Sequence, residues 1–126
     1  MLNIMKDIAK ANGLANIALP VRPTFKCNYP LIPIEDYIKW QNDDGLPFDP
    51  WLRVHIRAEG NIVGICNSSM DISGSVSEWE KWTGLKFIGS GNYVVDKALV
   101  PIIIDKENDV GKYIEPNVWI VHSILQ

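Results

Sequence analysis

The chain has 126 residues, 47% of them hydrophobic and 21% charged, with a net charge of −3. That size supports one domain with one core, and the ordinary apolar content with little net charge excludes a disordered chain. No apolar run approaches the roughly 20 residues of a membrane-spanning helix, and twelve basic against fifteen acidic residues, with no Lys/Arg cluster, exclude a nucleic-acid binder.

In chain order, Met1–Leu19 is broken by Lys6, Asp7, Lys10 and Asn12, so it lacks the unbroken apolar run of a secretory signal. A cytoplasmic protein is expected, with Cys27 and Cys66 as free thiols outside any C-x-x-C pair. A helix is predicted over Asn3–Asn12, with Met5, Ile8 and Ala9 on one face. Pro20, Pro23, Pro30 and Pro33 then predict an extended arm, with a short strand over Thr24–Asn28. The chain is thus read as one compact domain, in which residues 1–32 are helix and arm and residues 33–126 form the core.

Pro33 followed by Glu35 and Asp36 opens a helix that is expected to end near Asn42–Gly45. The clearest helix signal is Asp49 as N-cap, Pro50 in the first position, Trp51–Glu59 as the body and Gly60 as the stop. A strand follows at Asn61–Cys66, with Met70–Ser73 as its continuation or partner. Ser75 and Glu78 make a capping pattern for a helix over Val76–Thr83 that ends at Gly84. Strands are predicted at Asn92–Val95, Leu99–Asp105, Tyr113–Ile114 and Asn117–Ile124. Helices that precede and interrupt a run of sequential strands predict an α+β fold, with short helices packed on a small, mostly antiparallel β-sheet.

Candidate chemistry is sparse. His55 and His122 are the only histidines, and no Cys/His cluster has metal-ligand spacing. No serine or cysteine sits in a nucleophile frame. Gly89-Ser-Gly91 runs toward a strand, not into a helix, so it is no phosphate cradle. Asp43, Asp44 and Asp49 bracket one loop, either as an acidic rim for an amine or as a cap with two solvated charges. Five tryptophans, at 40, 51, 79, 82 and 119, are an excess for this length. They fill the core, or together with Tyr37 they line an apolar groove.

Four strings carry a resemblance: Tyr29-Pro-Leu-Ile-Pro-Ile-Glu-Asp-Tyr37, Asp44-Gly-Leu-Pro-Phe-Asp-Pro-Trp-Leu-Arg-Val-His55, Glu78-Trp-Glu-Lys-Trp-Thr-Gly84 and Tyr113-Ile-Glu-Pro-Asn-Val-Trp119. Over Asn12 to His122 the chain resembles the C-terminal region of bacterial proteins that are similar to GNAT-family acyl-CoA N-acyltransferases. In that family a late helix ends at a glycine and leads into a strand, and its tyrosine serves as general acid toward the coenzyme A thiolate. Asp49–Glu59, Gly60 and Ile62–Cys66 look like that unit, with His55 as the nearest proton-transfer group in place of the tyrosine. The family's pyrophosphate motif, R/Q-x-x-G-x-G/A, is absent from this sequence.

Two functions follow as expectations. The first is a non-catalytic module without a cofactor. It binds a small apolar or amine-bearing ligand, or a second copy of itself, in an aromatic groove formed by Tyr37, Trp40, Asp44, Asp49, Trp51, Trp79 and Trp82. The alternative is a GNAT-like acyltransferase portion that uses acetyl-CoA together with a partner chain or a missing N-terminal half. There His55 acts as acid or base, and Asp49 or Asp44 positions the amine.

Overall fold

The computed structural model describes residues 16–123, and the helix predicted over Asn3–Asn12 lies outside them. The architecture is α+β. Strands β1 (Asn16–Val21), β2 (Asn61–Gly74), β3 (Gly91–Tyr93), β4 (Ile102–Asp105) and β5 (Val110–Ser123) form one sheet. Helices α1 (Ile34–Tyr37), α2 (Pro50–Arg57) and α3 (Val76–Thr83) pack against it. Every pairing is antiparallel. No helix among the described residues is long and apolar enough to cross a membrane.

β5 is the central strand. One of its edges pairs with β2 from Gly111 to Val121. The other is shared: β1 takes Val118–Ser123 and β4 takes Val110–Lys112. Residues 113–117 of β5 therefore have no strand partner on that side, and the sheet has a notch there. Pro116 sits in the notch, opposite the irregularity in β2 between Cys66 and Met70. Neither edge needs the N–H that proline lacks, so a proline is tolerated inside a central strand.

Burial along β5 changes phase at the same place. Gly111, Tyr113, Glu115 and Asn117 are buried, and then Val118, Ile120 and His122. Side chains of a strand alternate between faces, so the two sets lie on opposite sides of the sheet. Tyr113 joins Val76 and Trp79 of α3 with Phe87, Ile102 and Ile104 in one core. Val118 and Ile120 join Val21, Ile34 and Leu52 in the other. Gly111 makes the first packing possible, because an added Cβ would fall 2.7 Å from Trp79 Nε1 and 2.8 Å from Ile104 Cδ1.

Local signals explain most elements. The Asp49 carboxylate caps α2 and Pro50 starts it, and Ser75 with Glu78 forms a reciprocal capping box on α3. Other expectations are corrected. Ile17, Leu19 and Val21 alternate on β1, so a strand precedes the predicted arm and takes in its first residues, whereas Thr24–Asn28 is a turn containing one 3-10 turn, Lys26–Asn28. α1 is a single turn. Asn42 Oδ1 accepts from the N–H groups of Asp44 and Leu46, each at 3.0 Å, and this local turn competes with further helix.

The end of α2 also differs. Glu59 takes the left-handed conformation, at φ 67°, and donates to Ile56 O at 3.0 Å, while Gly60 donates to His55 O at 2.8 Å. This is the Schellman pattern with glutamate in the glycine position. Gly60 is required for another reason: an added Cβ would lie 2.6 Å from His122 Cε1 and 2.8 Å from His55 O. Two outcomes of opposite sign are expected in urea denaturation. Glu59→Gly raises stability by about 1 kcal/mol through relief of the left-handed residue. Gly60→Ala lowers it by roughly 1–3 kcal/mol through overpacking against the His122 ring.

Candidate functional site

The residues singled out in the sequence fall into three separate groups. The first is centred on Asp49, which is 1% exposed. Its Oδ1 accepts from the N–H groups of Trp51 (2.9 Å), Leu52 (3.1 Å) and Thr24 (3.2 Å), and Oδ2 accepts from Phe25 N–H (2.9 Å) and the Tyr37 hydroxyl (2.5 Å). Five donors on one carboxylate tie α2 to the turn after β1 and to α1. The carboxylate is consumed by the fold and offers no free oxygen to an amine, which corrects the expectation for Asp49. Tyr37, Trp40, Phe48 and Tyr29 close over this site, with ring centroids 5.1–6.2 Å apart and mostly edge to face. The rings fill the space between them, and Asp44 stands exposed in the neighbouring turn.

The second group runs along α2 from Trp51 to His55. Half-exposed Trp51 meets His55 edge-on at 4.9 Å. His55 is 3% exposed, and its Nδ1 lies 2.9 Å from His122 Nε2. One proton between the two nitrogens satisfies that contact, whichever ring carries it. The pair joins α2 to β5 under the Gly60 turn, and His55 is enclosed rather than presented to a ligand. Trp79 and Trp82 form the third group on α3, 5.1 Å apart, with Trp82 54% exposed. They belong to the opposite face of the sheet, and among the described residues no ring contact joins them to the other groups. The single shared aromatic groove is therefore corrected to separate clusters, because the two cores sit on opposite faces of β5.

A concave site appears at the notch beside β5. It is a cavity of about 280 Å³ lined by Met70, Ile72, Trp79 and Ile102, with Arg22, Tyr113 and Glu115 among its polar groups. Glu115 is 3% exposed. Its Oε1 accepts from Arg22 Nε at 3.0 Å and from the Tyr113 hydroxyl at 2.8 Å. The Arg22 guanidinium also donates to Lys97 O at 2.9 Å. The Tyr113 oxygen accepts from Leu99 N–H at 3.1 Å. Behind it the fully buried Lys26 ammonium donates to Leu99 O at 2.7 Å and Tyr29 O at 2.8 Å, and burial pulls its pKa down. None of these hydrogen-bonded residues is among the candidate site residues of the sequence, although Tyr113 and Glu115 stand in one of the strings that carry the resemblance. The usable signal was Tyr113-Ile-Glu115, an aromatic and an acid two apart on one strand face. Among the described residues, no group of three or more His, Cys, Asp or Glu side chains could hold a metal ion.

Neither eight-residue helix offers an anion site at its N-terminus. Asp49 occupies the first amides of α2. On α3, Ser75 takes Glu78 N–H and Asp109 takes Val76 N–H at 3.1 Å. Side-chain oxygens of Asp49, Ser75 and Asp109 thus hold the amides that a pyrophosphate would use at these two helix starts.

The buried phenols set an alkaline limit. Burial, aided by the Asp49 carboxylate, raises the pKa of Tyr37, and burial with Glu115 raises Tyr113 to about 12. Their contribution is complete below the ordinary tyrosine pKa of about 10 and is lost as pH rises through the folded-state value, with a slope of about 1.4 kcal/mol per pH unit for each phenol. Thermal unfolding is expected to show a fall in Tm from pH 10 to 12, and Tyr113→Phe to make that fall shallower. Asp49→Ala leaves buried donors unpaired and is expected to cost roughly 3–5 kcal/mol in urea denaturation.

No family model matches the chain, and no solved structure matches it. Among curated proteins it is similar to the arginine N-acetyltransferase avaD of Aspergillus versicolor, with 32% identity over 98% of this chain and 49% of the relative. The chain spans about half the length of the curated relative it matches.

Proposed function

We propose that this chain is the acceptor-side portion of an acyl-CoA-dependent N-acyltransferase, acting on a free amino acid of the arginine type. The observation that carries this reading is the similarity to an arginine N-acetyltransferase along 98% of the chain. It favours the acyltransferase alternative over the non-catalytic module. The unit formed by α2, its Glu59–Gly60 stop and β2 supports the reading, because it lies where the sequence resemblance put the family's late helix and strand. The occupied N-termini of α2 and α3 support a reading in which the pyrophosphate of coenzyme A is held elsewhere than at these two helix starts.

The test is a chimera in which this chain replaces the matching stretch of the Aspergillus versicolor protein. Folded chimera is expected to acetylate arginine, read as thiol release from acetyl-CoA and as acetylarginine by mass spectrometry, at least about tenfold faster than the relative without that stretch. A folded chimera with no transfer above the truncated relative overturns the proposal. The chain alone is expected to give no saturable tryptophan quenching by acetyl-CoA in the micromolar range.

A further inference from the structure

The second oxygen of Glu115 has a different environment from the first. Oε1 carries the Arg22 and Tyr113 hydrogen bonds. Among the described residues Oε2 meets only the Asn117 amide, at 3.3 Å and in the amide orientation that also accepts from Ser69. Such a carboxylate has room for another N–H donor. The residue is almost wholly buried and borders the cavity, which gives a donor one side from which to approach it. The walls on that approach are Met70, Ile72, Trp79 and Ile102, which suit methylene groups and, at the indole face, a cation.

Charge agrees with this. The cations bordering the cavity are Arg22 and Lys97, and the anions are Asp96 and Glu115, so the lining is neutral overall. Arg22 already places a guanidinium nitrogen on Glu115, through Nε alone and not as a two-pronged fork. A volume of about 280 Å³ lies just below the lower bound for small-ligand sites, roughly 300 Å³.

We propose that this cavity binds a guanidinium on a short apolar shaft, with its N–H groups on Glu115 Oε2 and the shaft on Met70, Ile72 and Trp79. Glu115 is then the specificity residue, and the cationic end of the ligand sits at the notch of the sheet while the other end faces outward. This deepens the acceptor reading above and rests on it for the source of the ligand. It is tested by binding alone, without acetyl-CoA, so that failure of transfer and failure of the cavity are told apart.

The experiment is calorimetric titration of the 126-residue chain with arginine, propylguanidine and citrulline. Arginine and propylguanidine are expected to bind saturably, and citrulline, which has a neutral urea in place of the guanidinium, at least about tenfold more weakly. Glu115→Gln is expected to weaken arginine at least about tenfold. Arg22→Gln removes a competing like charge and is expected to tighten it, by about threefold or more. Because Glu115→Gln can also disturb the fold, Met70→Trp fills the cavity from an exposed position on β2. It is expected to keep the Tm and abolish binding. Equal binding of arginine and citrulline, unchanged arginine binding in folded Glu115→Gln or Met70→Trp, weaker binding in Arg22→Gln, or no saturable binding of either guanidinium would each overturn the proposal.

Discussion

Everything in this fold hangs on β5, a strand that changes which of its faces is buried halfway along its length. Tyr113 and Glu115 look toward α3, and Val118 and Ile120 look toward α1 and α2. A strand covered on one side only would need one continuous helical layer. Here two short helical layers suffice, placed diagonally on opposite faces. The cost is a discontinuity on the edge of β5, where β1 has ended and β4 has not begun. Residues 113–117 fill it, and the cavity is the consequence.

A discontinuity inside a sheet exposes polar groups, and these are met by a connected set of partners. Lys26 holds the Leu99 carbonyl, Leu99 N–H holds the Tyr113 oxygen, and Tyr113 and Arg22 hold Glu115. The neighbouring turn is tied down in turn by Asp49 through Thr24 and Phe25. Buried charges are tolerable when hydrogen-bonded to partners of fixed position. In this chain they are arranged so that one carboxylate oxygen is saturated and its neighbour is not. That asymmetry gives the notch a chemical direction that an apolar gap would lack.

The parts legible in the sequence are those set by neighbours along the chain. Asp49-Pro50 and Ser75 with Glu78 define α2 and α3 because capping is local. The α+β class followed from the order of such elements. The parts that were not legible depend on residues far apart in sequence. Pro116 made β5 read as two strands, because its tolerance depends on the notch and on the irregularity in β2. Gly60 read as the stop of α2, yet Glu59 takes the left-handed conformation that ends it and Gly60 makes room for His122. The aromatic residues read as one groove because helical spacing says nothing about which face of a sheet a helix covers. Glu115 stood in a string that carried the resemblance but gave no sign of a site beyond its strand spacing from Tyr113, since its partner Arg22 lies 93 residues away in the chain.

The same geometry bears on how an acyltransferase would be divided between this chain and the rest of a longer protein. A pyrophosphate needs free amides at a helix start, and here Asp49, Ser75 and Asp109 hold those amides with their own oxygens. To bind coenzyme A at either helix, the chain would have to give up a cap and with it part of its fold. A cation, by contrast, needs an unsaturated carboxylate beside apolar walls, which the notch already has. β2 adds a 14-residue edge strand with Val63, Met70 and Ile72 exposed and neither proline nor lysine along it. Such an edge can extend a sheet without disturbing an existing pairing among the described residues. The cavity is bordered by Met70 and Ile72 of this same strand. A segment added along β2 would therefore pair next to two residues that border the cavity.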